Sequence, residues 1–168
     1  IVVKNCQLGA QPTGITCKVQ EVNKLSFINN QVYPDGRENL VLDACNNCVI
    51  EGNNFKSYYN GILVLNGNDN TVNKNIFWLT GAVQNQLLDH GDDFGIINVK
   101  GNNNMVASNS LSCEWAYAGA VTVNAVQGTG NVFKNCFVDN LESYRVFLVN
   151  AQTEVSNCVS SDKVSIVE

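Results

Sequence analysis

Apolar residues along this chain recur in short blocks separated by Asn-rich punctuation, and no stretch keeps a convincing 3.6-residue period. One β-rich block appears six times, at 14–19, 39–43, 61–66, 95–99, 120–124 and 146–150. A second pattern, apolar-x-x-Asn-x-apolar, interleaves with it and places Asn at Asn5, Asn30, Asn53, Asn75, Asn109, Asn135 and Asn157. The intervals are 25, 23, 22, 34, 26 and 22 residues, so a unit of about 22 recurs with one long insertion between Asn75 and Asn109. From the β-rich block to the next Asn the count is nearly constant, 13 to 15 residues, whereas the other half of each unit ranges from 9 to 21. Short Val/Ile strands repeating at this period predict one all-β domain over 1–168: a right-handed parallel β-helix of about seven coils of ~22 residues.

Composition supports that reading. The 168 residues include 27 Asn and 23 Val, a pairing that suits neither ordinary strands nor helix interiors. A solenoid accommodates both, because Asn at a bend adopts the left-handed conformation and its amide bonds the Asn of the next coil, making a ladder. Asn29-Asn30, Asn46-Asn47, Asn53-Asn54 and the 102–104 run fit such bends. A β-sandwich would instead show repeated short Asx-Gly hairpins.

Charge narrows the partners. A formal net charge of -5 without a Lys/Arg run argues against nucleic acid or an anionic membrane surface, and no window approaches 18 consecutive apolar residues. Seven cysteines are an odd number, which leaves at least one thiol free. The Cys45-x-x-Cys48 pair invites a zinc or redox reading, but no second such pair occurs and the only histidine is far off; buried small side chains are the simpler account. No cofactor or metal is expected.

Equivalent loops of successive coils project from one face of a solenoid and form columns. The variable stretches here, 32–38, 55–60, 77–94, 112–119 and 138–145, hold both Trp, all five Tyr, both Arg and the only His. Aromatic faces beside carboxylates and guanidinium groups suit sugar rings, so Tyr33, Arg37, Tyr58, Tyr59, Trp78, His90, Glu114 and Trp115 are candidate binding residues. Within 87–94 the crowded carboxylates Asp89, Asp92 and Asp93 flank His90; crowding raises one carboxyl's pKa, as a general acid in glycosidic chemistry requires. Calcium binding or simple solvation are the competing readings of this cluster.

Several blocks resemble the inulin fructotransferases and difructose anhydride III hydrolases, glycoside hydrolase family 91: Asn5 with Leu8-Gly-Ala10, Tyr33-Pro-Asp-Gly-Arg37, Cys45-Asn-Asn-Cys48, Tyr58-Tyr-Asn-Gly61, Leu65-Asn-Gly67, and Asp92-Asp-Phe94 leading into Gly95. The resemblance covers nearly the whole chain and is to the family's C-terminal half. It implies a homotrimer of β-helices with sites between subunits. It also implies an intramolecular fructosyl transfer that releases a cyclic difructose dianhydride from β-2,1-fructan, or the hydrolysis that opens it. Asp92 and Asp93 match an Asp-Asp pair at the end of the family's lid-like loop and are the acid/base candidates in this chain. The family's own catalytic Asp and Glu align upstream of Ile1, which implies that the chain corresponds to the C-terminal part of a longer β-helix. The loop over 77–94 is shorter than the family's and lacks its Pro-Pro and basic content. A non-catalytic carbohydrate-binding or trimeric structural module is the alternative. A polymer substrate favours an extracellular setting, unpaired thiols a reducing one.

Overall fold

A computed structural model describes residues 1–9, 14–33, 38–58, 61–80, 94–113, 121–139, 145–159 and 164–167. All named elements among them are strands, and successive coils contribute them in a fixed order. The first coil holds β1 (Val2–Lys4), β2 (Gln7–Leu8) and β3 (Ile15–Gln20), and the second β4 (Ser26–Ile28), β5 (Gln31–Val32) and β6 (Glu38–Asp43). Next come β7 (Val49–Glu51), β8 (Asn54–Ser57) and β9 (Leu63–Asn66), then β10 (Thr71–Asn73), β11 (Ile76–Leu79) and β12 (Ile97–Val99). The fifth and sixth coils hold β13 (Met105–Ala107), β14 (Ser110–Cys113) and β15 (Val123–Ala125), then β16 (Val132–Lys134), β17 (Phe137–Asp139) and β18 (Phe147–Asn150). A further coil adds β19 (Glu154–Ser156) and β20 (Val164–Val167).

Each strand pairs in parallel with its counterpart one coil away, giving a first sheet of seven strands from β1 to β19, a second of six from β2 to β17 and a third of seven from β3 to β20. The fold is thus the expected parallel β-helix. Among the described residues it has six complete coils and a partial seventh, slightly fewer than anticipated. The β-rich blocks are the third sheet. The second sheet went unseen in the sequence because its strands are two to four residues long and carry at most two buried side chains each, too little for a readable alternation.

Inward positions stack by register. Val32, Phe55, Phe77, Leu111 and Val138 line the second sheet, and Leu40, Leu63, Ile97, Val123 and Phe147 the third. Phe55 and Phe77 lie face to face, with ring centroids 4.9 Å apart and planes within 1°. Stacking like on like is forced when every coil repeats the same turn, and it removes these rings completely from water.

Corners between the first and second sheets are two residues long in all six complete coils. The first of the two has positive φ: Asn5 (56°), Asn29 (54°), Gly52 (66°), Lys74 (55°), Ser108 (55°) and Asn135 (54°), followed by Asn157 (52°) in the partial coil. The second is the rung of the ladder. Asn30 donates from its backbone N (2.8 Å) and Nδ2 (3.0 Å) to Oδ1 of Asn53, Asn53 does the same to Asn75, and Asn75 to Asn109. Each Nδ2 of Asn30, Asn53, Asn75 and Asn109 also donates to a carbonyl one coil back, those of Val3, Phe27, Ile50 and Val72. Bend and ladder are therefore tasks of two adjacent residues, not of one Asn. In consequence Asn5, Asn135 and Asn157 are bend residues, and Cys6, Cys136 and Cys158 stand at the ladder position in their coils.

A second ladder closes the corner between the third and first sheets. Cys48 donates through its backbone to Asn70, Asn70 to Asn104 and Asn104 to Asn131, all buried. Cys48 is thus a ladder residue, while Cys45 Sγ sits 3.4 Å from the carbonyls of Val19 and Asp43. Burial pushes the Cys48 thiol above its ordinary pKa. Nearby, Gly67, Gly101 and Gly128 lie in successive coils, and a Cβ on Gly101 would run into the carbonyl of Gly67. Only glycine lets the backbones approach this closely.

Candidate functional site

Connections from the second sheet to the third vary from five residues, between β5 and β6, to seventeen, between β11 and β12. The outer face of the second sheet leads into them, and it carries the candidate site. In β8 the alternation Asn54, Phe55, Lys56, Ser57 buries Phe55 and Ser57 and turns Lys56 outward. The paired β11 does the same with Trp78, which lies in register with Lys56 on one side and Ser112 on the other. Trp78 is therefore on a strand, not in a loop, and its position is set by sheet pairing. One residue past the Val32–Phe55 pair, Tyr33 stands beside Lys56. Asp139 continues the row beyond Ser112.

The row Tyr33, Lys56, Trp78, Ser112 and Asp139 thus follows the solenoid axis at about 4.8 Å per coil. Lys56 Nζ sits 4.3 Å from the centroid of the Trp78 ring, a cation–π contact worth roughly 0.5–1 kcal/mol at an exposed site. It fixes the ring and places a positive charge at its surface. Tyr58, two residues beyond Lys56, and Tyr33 are each 43% exposed, so aromatic surface is open to solvent beside the row. Behind it, fully buried Asn39 donates its Nδ2 to the carbonyls of Tyr33 (3.3 Å) and Lys56 (2.9 Å), pinning the ends of two strands. The Phe94 ring closes over Gly61, whose φ of 81° and missing Cβ make room for it.

Of the residues anticipated from sequence, Tyr33, Tyr58 and Trp78 come together on this face. Arg37, Tyr59, His90, Asp92, Asp93, Glu114 and Trp115 lie outside the described residues, as do Asp35 and Asp89. Lys56, Asn39, Ser112 and Asp139 were missed, although Lys56, Ser112 and Asp139 fall within the variable stretches 55–60, 112–119 and 138–145. No group of three or more His, Cys, Asp or Glu among the described residues is placed to hold a metal ion. No helix there is long and apolar enough to cross a membrane.

The description "Right handed beta helix region" matches residues 13–166. The chain belongs to the right-handed β-helix family. Among solved structures this β-helix is similar to DFA-IIIase from Arthrobacter chlorophenolicus A6 in complex with GF2, with TM-score 0.83 and 21% identity over 99% of this chain and 44% of that one. The same enzyme without its lid gives 0.82 and 22%, again over 99% and 44%. A Cys-to-Ala mutant of it in complex with DFA-III gives 0.77 and 19%, over 99% and 47%. At these identities the likeness is one of fold, and the β-helix spans less than half the length of those chains. It fits a resemblance to part of such an enzyme. No curated protein matches the chain by sequence.

Proposed function

We propose that this β-helix is part of a fructan-active enzyme of the inulin fructotransferase or difructose anhydride hydrolase kind, and that the outer row of the second sheet binds its sugar. The row Tyr33–Lys56–Trp78, with exposed Tyr58 beside it, carries the reading. Aromatic faces take the C–H faces of furanose rings, and Lys56 and Asp139 offer a donor and an acceptor to hydroxyls. Because the row runs along the axis, a bound oligosaccharide extends across coils, about one sugar ring per coil. The fold shared with DFA-IIIase, itself solved with GF2 and DFA-III, supports the same substrate class.

In this reading Asp92 and Asp93 are the acid/base candidates from this chain, and Arg37, Tyr59, His90, Glu114 and Trp115 extend the sugar contacts from the connections. A carboxyl group protonates the departing glycosidic oxygen and, once ionised, takes the proton from the attacking hydroxyl, of sugar or of water. The assembly is a homotrimer, supported by exposed apolar side chains on two neighbouring sheets: Val2 and Met105 on the first, Ile76 and Phe137 on the second. Sedimentation of the chain tests it, a monomer at all concentrations counting against it.

Calorimetric titration with a fructotrisaccharide tests the binding, with Trp78→Ala expected to weaken it at least tenfold. Absence of binding by the unaltered chain overturns the reading. Product analysis with inulin and difructose anhydride then separates the two forms of the idea. Binding without turnover by this chain makes the described β-helix the sugar-holding portion, or a carbohydrate-binding module.

A further inference from the structure

The ladder between the first and second sheets changes chemistry partway along. Four consecutive corners hold Asn30, Asn53, Asn75 and Asn109, and the next two hold Cys136 and Cys158. Both side chains are buried, and every cysteine of the chain is free. The backbone N of Cys136 donates to Sγ of Cys158 at 3.4 Å, the same link that the Asn residues make to Oδ1 one coil on. Lys134 pairs with Ser156 two residues earlier, and Val159 N donates to Cys136 O at 3.0 Å, so the two cysteines occupy one register position on adjacent coils. Adjacent strands are about 4.8 Å apart, within the Cα separation of about 4.4–6.8 Å that a disulfide spans.

The pair is asymmetric. Hydrogen bonding from the Cys136 side chain and its backbone N–H holds the Cys158 thiol below its ordinary pKa, against burial, which raises it. The same contact, with burial, pushes Cys136 upward. All four sulfurs also lie near backbone carbonyls, but Cys45 and Cys48 differ in belonging to one coil, at different register positions.

We infer that Cys136 and Cys158 are a redox-active dithiol that closes to a disulfide between adjacent coils, a modification site separate from the sugar face. The oxidant is a low-molecular-weight disulfide such as oxidised glutathione. The Cys158 thiolate attacks one of its sulfurs, the S–S bond breaks and one glutathione thiolate leaves, giving a mixed disulfide. Cys136 passes its proton to that thiolate, attacks the Cys158 sulfur and expels the second glutathione, which takes a proton from water. Two protein thiols are oxidised and one glutathione disulfide becomes two thiols.

The full chain is incubated with oxidised glutathione at pH 8, blocked with iodoacetamide and mapped by mass spectrometry. The expected result is a cross-linked peptide pair joining Cys136 to Cys158, lighter by two hydrogens, with Cys45 and Cys48 still alkylated on denaturation. The thermal midpoint rises on oxidation and returns with reductant. Cys136→Ser accumulates a glutathione adduct at Cys158, and Cys158→Ser carries none at residue 136. Recovery of both Cys136 and Cys158 as alkylatable thiols, or pairing of either with another cysteine, overturns the inference, and mapping the unaltered chain decides this even where a variant fails to fold.

Discussion

The corner between the first and second sheets and the passage between the second and third are both turns of one coil, yet they obey opposite rules. The corner is two residues in every complete coil, with a left-handed residue and a rung each time, the rung buried in all but the first coil. The passage ranges from five to seventeen residues and opens off the face where Tyr33, Lys56 and Trp78 gather. A corner that hydrogen-bonds its counterparts above and below has no freedom of length, because one added residue would slip every later partner. A passage that ends on paired strands leaves its middle unconstrained. The first regularity holds the stack together, and the second difference is where chemistry is free to change.

The harshest way to break this contrast is insertion. Gly-Ser placed between Asn75 and Ile76 should abolish cooperative unfolding as followed by circular dichroism. The same dipeptide placed between Asp139 and Arg145 should cost about 1 kcal/mol or less, as expected for lengthening a loop. Equal losses at the two places would erase the distinction. Next in size, Asn53→Leu strips partners from Asn30 and the Phe27 carbonyl and should lower stability by about 3 kcal/mol in urea titration. Trp78→Ala inverts the pattern, with at least tenfold weaker sugar binding against roughly 1 kcal/mol of stability lost with the cation–π contact and some buried ring surface.

The smallest effect lies on the third sheet. Hydrogen bonds from Gln20 Nε2 (3.0 Å) and Asn66 Nδ2 (2.9 Å) hold the Asp43 carboxyl below its usual pKa. A group lowered on folding contributes stability that is present above its unfolded value, about 4, and is lost as the pH falls through the folded value. Asp43→Asn should therefore flatten the thermal midpoint slightly below pH 4 and leave it unchanged in shape above pH 5.

What could be read beforehand follows the same division. The third sheet was legible because blocks such as Leu40–Leu42 and Leu63–Leu65 put two inward residues in every coil, and the long insertion after Trp78 was legible as a break in period. The second sheet was hidden, since a strand as short as Gln7–Leu8 has no periodicity to detect. Hence Trp78 read as a loop residue and Lys56 was passed over. The ladder was visible in kind but displaced in register at Asn5, Asn135 and Asn157, because a bend Asn and a rung Asn look alike when the next residue is a cysteine. Tyr33 and Tyr58 were found from residue type alone, which says that aromatic residues cluster but not which strand aims them.

The rungs also have a direction. From Asn30 to Asn109 the backbone N–H and one side-chain N–H point the same way along the axis, so the amide dipoles add and polarise one another as they do in an α-helix. The hydrogen-bearing end of that array faces Cys136, and the Asn109 hydrogen bonds work to lower the pKa of its sulfur, against the larger upward push from Cys158 and burial. A row of neutral amides thereby behaves as a built-in electrode whose positive pole sits against two stacked sulfurs.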